Sequence, residues 1–168
     1  MALSRTQDTP ATEAQPSDAD DSYGGLTIKT QALCRWSYSE GYDYVFKCDT
    51  DTYIVPDRLL ASGYEGKKYV GWTSGRTWAQ GGAGYWLDRE CMAAVGSSRL
   101  LPPVHNMEDC MVGSTLALLG IYPEHDERYQ TGYTGSQQHP LRRNRIISAH
   151  YLSADGMRRV HREWLASL

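Results

Sequence analysis

Short apolar runs typical of strands alternate with helical patterns along this chain, and this alternation restricts its possible folds most. The clearest strand is Tyr44–Lys47, and the clearest helices are predicted over 26–39 and 108–119. Further strands are predicted over 69–72, 84–87 and 145–151, and further helices over 57–61, 89–95 and 154–166. Strands that alternate with helices predict an α/β architecture.

The 168-residue chain has the length and apolar content of one domain with one core. Residues 1–20 are rich in Ala, Thr, Asp, Gln and Pro and lack aromatic side chains. We expect them to be disordered or loosely ordered, which leaves 21–168 as the folded domain. The polar segment 124–144 is predicted to be a long mobile loop.

The net charge and the length of the apolar runs indicate which kinds of partner to expect. A net charge of −3 gives no reason to expect nucleic acid or an anionic membrane as partner. No apolar run approaches the length of a membrane-spanning helix, so direct membrane insertion is not expected.

The cysteines form no CxxC pair, which argues against a zinc knuckle. They are Cys34, Cys48, Cys91 and Cys110. Two disulfides and four thiols both remain open, and the pattern favours buried thiols.

Two carboxylates follow the strand Tyr44–Lys47 almost at once. On extended backbone, residues two apart point to the same side, so Asp49 and Asp51 can converge at the strand's carboxyl end. Ligands of open α/β sheets bind at such ends. Neighbouring carboxylates repel each other unless a cation lies between them. The pair is therefore interpreted either as half of a divalent metal site or as the start of a turn.

Several separate blocks carry a family resemblance. In order, they are "DSYGGLTIKT", "CRW", "YVFKCDTDTY", "QGGAGYWLDRE", "EDCMVGSTLALLGI" and "ISAHYLSADGM". From about Asp21 to Met157 they resemble the β-1,3-galactosyltransferase and fringe-like family of inverting glycosyltransferases. This resemblance implies a GT-A-like mixed sheet flanked by helices, with an Asp-any-Asp metal motif.

Family members carry an N-terminal half before the first of these blocks. The resemblance therefore implies an incomplete, C-terminal portion of the fold: the chain is a fragment, or a reduced homologue, or its sheet is completed by another chain. A sheet without its leading strands exposes an edge, so self-association through that edge is a further expectation.

The resemblance also implies a cofactor and its ligands. Mn²⁺ (or Mg²⁺) would be held by Asp51 and His150, and Asp49 would lie near the donor ribose or the metal. A lone histidine is otherwise more often structural. Thr50 stands where many family members have a third acidic residue, so metal binding is expected to survive in weaker form.

Glu108 and Asp109 open the helix predicted over 108–119. Acidic side chains suit the positive end of a helix dipole, which is the structural interpretation. Inverting glycosyl transfer needs a carboxylate that takes the proton from the attacking hydroxyl. The resemblance assigns this catalytic role to Asp109, and we expect Glu108 to contact the acceptor.

The glycine-rich run that precedes the strand over 84–87 matches neither a P-loop nor a dinucleotide-binding fingerprint. Gly81 and Gly82 are predicted to let the backbone approach the donor closely. Trp78 is a candidate platform for the acceptor sugar, whereas Trp86 is expected in the core. A small basic cluster near the end of the chain is either a solvated loop or a lid over the diphosphate. Its members are His139, Arg142, Arg143 and Arg145.

These observations predict a metal-dependent hexosyltransferase that uses a UDP-sugar donor and a glycan or glycoconjugate acceptor. The alternative is an inactive module that binds a glycan or a nucleotide sugar. A metal-dependent phosphohydrolase is a weaker third option. The location is expected to be cytoplasmic for a bacterial chain and the Golgi lumen for a trimmed eukaryotic one.

Overall fold

A computed structural model describes residues 2–4, 22–73, 75, 77–99, 107–131 and 145–166. They form a mixed α/β structure of two small mixed sheets flanked by helices. The strands are β1 (Ala2–Ser4), β2 (Tyr44–Lys47), β3 (Tyr53–Ile54), β4 (Tyr69–Gly71), β5 (Tyr85–Asp88), β6 (Glu124–His125), β7 (Tyr129–Gln130) and β8 (Ser148–Ala149). The helices are α1 (Leu26–Ser39), α2 (Pro56–Leu60), α3 (Arg89–Ser97), α4 (Glu108–Ala117) and α5 (Ala154–Leu165).

The α/β class is confirmed, and each predicted helix and strand is present with ends that shift by a few residues. The helix predicted over 108–119 ends earlier, at Ala117, so Leu119 is exposed and does not share the buried face. The predicted loop over 124–144 is wrong at its start, where β6 and β7 form. Residues 132–144 lie outside the described part of the chain.

The first sheet has the order β1-β2-β5-β4-β6. Its strands are antiparallel except for the parallel pair β4 and β6. Side chains alternate across it, as the strand period of two requires. Tyr85 and Leu87 face the helices α1, α3 and α4, whereas Trp86 faces the second sheet. Both faces are therefore buried, which explains the nearly continuous apolar run of each central strand.

The edge of β2 is paired within the chain. Ala2–Ser4 lies antiparallel to β2, with Leu3 opposite Val45. These three residues form a strand, and the remainder of 1–21 lies outside the described residues, so a disordered or loosely ordered N-terminal segment remains a prediction. β1 covers this edge of the sheet, and self-association through an incomplete sheet edge remains a prediction.

The second sheet has the order β3-β8-β7 and packs against α5. Tyr53 pairs with Ala149 in the antiparallel ladder of β3 and β8. This pairing brings the residues just before β3 close to the residues just after β8. The second sheet therefore places Asp51 beside His150.

All four cysteines are free thiols. Cys34, Cys91 and Cys110 are buried, and Cys48 is half-buried. Burial raises the pKa of the Cys34 thiol, and the neighbouring Glu108 carboxylate adds to this shift. The thiol interpretation therefore matches the structure. Within the described residues, no helix is long and apolar enough to span a bilayer.

Candidate metal centre and active site

Asp49, Asp51 and His150 come together at one point, as predicted. Each offers a ligand atom, and these atoms all lie within 4.8 Å of one another. Nε2 of His150 lies 3.1 Å from Oδ1 of Asp51 and 3.8 Å from Oδ2 of Asp49. The His150 side chain is 7% exposed and that of Asp51 is 45% exposed, so the cluster opens to solvent on the aspartate side.

The backbone around the cluster is pinned by hydrogen bonds between its segments. The amide of Leu152 donates to the carbonyl of Asp51 at 2.9 Å, and the amide of His150 donates to the carbonyl of Gln130 at 3.1 Å. The hydroxyl of Thr52 donates to the carbonyl of Gly82 at 2.7 Å. The three candidate ligands thus come from two segments, the β2–β3 loop and the end of β8, which are cross-linked locally, as the preorganisation of a metal site requires.

The donor set fits a hard divalent cation with some affinity for nitrogen. Two carboxylates and one imidazole suit Mn²⁺, and the carboxylates suit Mg²⁺. Nδ1 of His150 is buried and has no hydrogen-bond partner among the described residues. Nε2, which faces both carboxylates, is the nitrogen that would bind the cation, so the fit rests on these three donors rather than on Nδ1. The residues present therefore fit the implied metal.

Gly82 makes room for the metal-ligand candidate itself. A Cβ atom built on Gly82 would lie 1.9 Å from Cε1 and 2.4 Å from Nε2 of His150. No side chain could stay there without displacing the imidazole. We predicted that Gly82 allows close approach of the donor, but the space beside its Cα is occupied by His150. Its effect on a donor would therefore be indirect.

Replacement of Gly82 by alanine should weaken Mn²⁺ binding by about 10- to 100-fold, the usual loss when groups that orient a metal ligand are changed. The reason is the overlap between the new methyl group and the His150 ring. Isothermal titration with Mn²⁺ measures the affinity, and circular dichroism checks the fold. Gly24→Ala is the control, because a Cβ there meets its nearest atom at 3.7 Å. Equal Mn²⁺ affinity in both variants would contradict the assignment of His150 as ligand.

Lys47 connects Asp49 to the start of α4. It lies at the end of β2 on the helix side of the sheet, directly opposite Tyr85 in the ladder. Its Nζ donates to Oδ1 of Asp49 at 2.7 Å and to Oε2 of Glu108 at 3.0 Å. Burial would lower the pKa of Lys47, but these two carboxylates raise it above its ordinary value. Lys47 therefore remains charged, and Asp49 keeps Oδ2 for the metal cluster.

Glu108 is not placed for acceptor contact. Its side chain is 4% exposed, with Oε2 bound by Lys47 and Oε1 accepting a hydrogen bond from the Tyr85 hydroxyl. A Cβ on Gly81 would lie 2.4 Å from Oε2 of Glu108, so Gly81 provides space for this ion pair. The structure therefore gives Glu108 a positioning role and leaves its predicted contact with the acceptor without support. The same holds for direct donor contact through the Cα of Gly81.

Asp109 lies next to the cluster across the two glycines. Its Oδ2 accepts a hydrogen bond from the amide of Gly81 at 3.3 Å, and Gly82 lies against His150. Asp109 is half-buried in the first turn of α4, and its Oδ1 accepts a hydrogen bond from the amide of Cys110 at 2.8 Å. No direct contact between Asp109 and the cluster is present among the described atoms, and its role as a base remains a prediction.

Trp78 lies along the same face of α4. Asp109 and Gly113 are four residues apart and share a helix face. A Cβ on Gly113 would lie 2.4 Å from Cβ of Trp78, so the two backbones approach closely. Trp78 is half-buried beside this face, and its role as a sugar platform remains a prediction. Trp86 is 1% exposed and stacks on Tyr64, as expected for a core residue.

A cavity of about 590 Å³ lies near the opposite end of the second sheet. Its lining includes Arg128 and Ile147, which precede β7 and β8, whereas His150 follows β8. Arg145 also lines it, so this member of the basic cluster is near the other end of β8 from the metal ligands. His139, Arg142 and Arg143 lie outside the described residues. The cavity is therefore separate from the candidate metal centre.

Two residues of the site were not predicted. Lys47 had a signal in the sequence, because a charged residue in an apolar strand must find a counter-charge when buried. Tyr151, which stacks on His150, had no such signal beyond its position next to a candidate ligand.

A scan of the chain against models of known protein families finds no match.

Proposed function

We propose that this chain is a metal-dependent inverting glycosyltransferase with a GT-A-like fold. It would move a hexose from a UDP-sugar to a hydroxyl of a glycan or glycoconjugate. The proposal rests on the resemblance of the ordered sequence blocks to the β-1,3-galactosyltransferase and fringe-like family. One observation supports it most: the β2–β3 loop brings Asp49 and Asp51 together with His150, and Asp109 accepts a hydrogen bond from Gly81, next to Gly82, which lies against His150.

Each group has a chemical role in this proposal. Asp51, His150 and Oδ2 of Asp49 would hold Mn²⁺ or Mg²⁺, which when bound offsets negative charge on a leaving diphosphate. Asp109 takes the proton from the acceptor hydroxyl as its oxygen bonds to the anomeric carbon. The bond from that carbon to the phosphate oxygen breaks, and UDP departs with the electron pair. Because attack and departure occur on opposite faces, the anomeric configuration inverts.

Lys47 and Glu108 support the site without touching substrate. Lys47 directs one oxygen of Asp49 away from the cluster and ties that residue to α4. Since α4 begins at Glu108 and Asp109 is its second residue, the same ion pair fixes the base relative to the metal ligands. A rigid link of this kind serves transfer, which requires reacting groups to be held in register.

Replacement of Asp51 by asparagine should abolish Mn²⁺-dependent UDP release, because a neutral amide is a far weaker ligand for a hard cation than a carboxylate. UDP release is measured with a panel of UDP-hexoses, with and without acceptor, in Mn²⁺ and in EDTA. Asp155→Asn is the control, since Asp155 is an exposed carboxylate paired with Arg158 on α5. Its activity should match the wild type.

The same assay separates the rival functions. Mn²⁺-dependent binding of UDP-sugar without UDP release, in wild type and both variants, would favour an inactive binding module. Release of inorganic phosphate would favour a phosphohydrolase. Wild-type protein that neither binds Mn²⁺ nor releases UDP would contradict the proposal.

A further inference from the structure

Tyr151 has an unusual backbone conformation next to the candidate ligand His150. Its φ is +62°, and it is the single non-glycine residue with positive φ in the described part of the chain. Bulky L-residues avoid this region because Cβ approaches the backbone too closely. Such outliers persist where the surrounding structure enforces them, and they cluster at functional sites.

The segments around Tyr151 enforce this conformation from both sides. The preceding residue, His150, donates its amide to Gln130, and the following residue, Leu152, donates its amide to Asp51. These bonds leave the backbone at Tyr151 little freedom to relax. The chain reverses here, between β8 and α5, at the edge of the metal cluster.

The side chain of Tyr151 lies over the imidazole and remains largely in solvent. The ring centroids of Tyr151 and His150 are 3.8 Å apart, with an interplanar angle of 23°. Tyr151 is nevertheless 64% exposed. One face of the Tyr151 ring is therefore fixed against His150, while most of the side chain stays accessible to a ligand at the cluster.

We propose that Tyr151 is a stacking platform for a hexose ring beside the metal cluster. A tyrosine ring offers a flat apolar face to the C–H face of a pyranose, and its hydroxyl offers a hydrogen bond at the rim. This inference rests on the proposed function, because groups near a metal-bound diphosphate would be the donor hexose and the acceptor sugar. It differs from the Trp78 prediction, which concerns a half-buried residue against α4.

The direct test uses simple sugars, so that it does not depend on turnover. Methyl pyranosides of galactose, glucose and N-acetylglucosamine are titrated into the protein with diamagnetic Mg²⁺ present, and binding is followed by NMR. Tyr151→Ala should weaken hexoside binding by about 3- to 10-fold, the usual contribution of an aromatic stacking contact. Tyr151→Phe keeps the ring and should bind within about 2-fold of the wild type.

Tyr122→Ala is the matched control. Tyr122 is 59% exposed, close to the value for Tyr151, but follows the far end of α4 from Asp109. It should bind hexosides like the wild type. Two further arms identify the sugar: a fall in affinity for UDP-hexose but not for UDP assigns the donor hexose, and a rise in acceptor KM with donor affinity unchanged assigns the acceptor. Either outcome supports the platform.

Other outcomes overturn it. Equal hexoside affinity in Tyr151→Ala and wild type, or no hexoside binding by the wild type, excludes the platform. If Tyr151→Ala lowers Mn²⁺ affinity but leaves hexoside affinity unchanged, the Tyr151 ring shields His150 and does not bind a sugar. Failure of the proposed function gives a different result. If the wild type binds hexosides through Tyr151 but releases no UDP, the stacking platform is supported and the transferase activity is contradicted.

Discussion

Replacement of Asp109 by asparagine is expected to reduce the rate of hexose transfer by about 10²- to 10⁴-fold, the contribution typical of general acid–base catalysis. Asparagine keeps a side-chain oxygen that can accept the hydrogen bond from the Gly81 amide. It cannot take a proton from the acceptor hydroxyl. Mn²⁺ affinity, UDP-sugar affinity and thermal stability should therefore stay close to those of the wild type. Initial rates at saturating donor and acceptor measure the effect.

A control variant separates the base from a simple helix-dipole role. Asp57 is exposed and occupies the first turn of α2, as Asp109 does in α4. Asp57→Asn removes a charge from a helix start without touching the site, so it should leave the rate unchanged. If Asp109→Asn and Asp57→Asn transfer hexose at the same rate, the Asp109 carboxylate only complements the helix dipole and another residue is the base.

Replacement of Lys47 by methionine should lower the free energy of unfolding by about 3–5 kcal/mol, the cost of removing one partner from a buried ion pair. Methionine fills much of the same volume but leaves the Glu108 carboxylate, only 4% exposed, without its cation. Urea unfolding followed by circular dichroism measures the change. Mn²⁺ affinity should also fall, because Asp49 loses the bond that orients it.

The control is a second lysine–glutamate pair with similar geometry and different burial. Lys68 contacts Glu90 at 2.7 Å, but the two side chains are 52% and 56% exposed. Lys68→Met should change stability little, since exposed ion pairs are screened by solvent. Equal destabilisation in the two variants would show that burial of the Lys47 pair is not the source of the effect. The double variant Lys47→Met with Glu108→Gln should recover part of the loss.

The pH dependence of this pair has a defined sign. The pKa of Lys47 is raised in the folded protein, mainly by Glu108 and Asp49 against the opposing effect of burial. A raised lysine pKa contributes stability that is complete below the unfolded value and is lost as pH rises through the folded value. The contribution is therefore full at neutral pH and declines only in strongly alkaline solution.

Much of the secondary structure could be predicted because its signals are local. Tyr44–Lys47 and Leu26–Ser39 match their predicted bounds, since apolar periodicity and flanking glycines depend on near neighbours. Short strands such as β6 and β7 were missed because two-residue elements carry no period. Their existence depends on which distant strands happen to lie alongside them.

The candidate metal ligands could also be nominated from the sequence. The i, i+2 spacing of Asp49 and Asp51 suggested the pair, and the position of His150 came from the family resemblance. The structure holds the two aspartates in a turn, in which the amide of Thr52 donates to the carbonyl of Asp49 at 3.2 Å, so the turn interpretation is met as well and the strand period does not set their geometry. The distances that join the three ligands depend on the pairing of β3 with β8, which no local pattern specifies. Sequence reasoning could therefore nominate the three residues, and tertiary structure was needed to bring them together.

The roles of the glycines and of Glu108 depended on tertiary structure alone. A glycine in a sequence indicates that space is needed, without indicating what fills it. Here His150 fills the space at Gly82 and the Lys47–Glu108 ion pair fills that at Gly81, so protein side chains occupy room that was assigned to ligand. Lys47 ends β2, and Asp49 and Asp51 follow it in a turn closed by the hydrogen bond from the amide of Thr52 to the carbonyl of Asp49. Which charges they would meet was decided by the packing of α4 against β2 and β5, because ion pairs between distant residues form only where the fold brings them within a few ångströms.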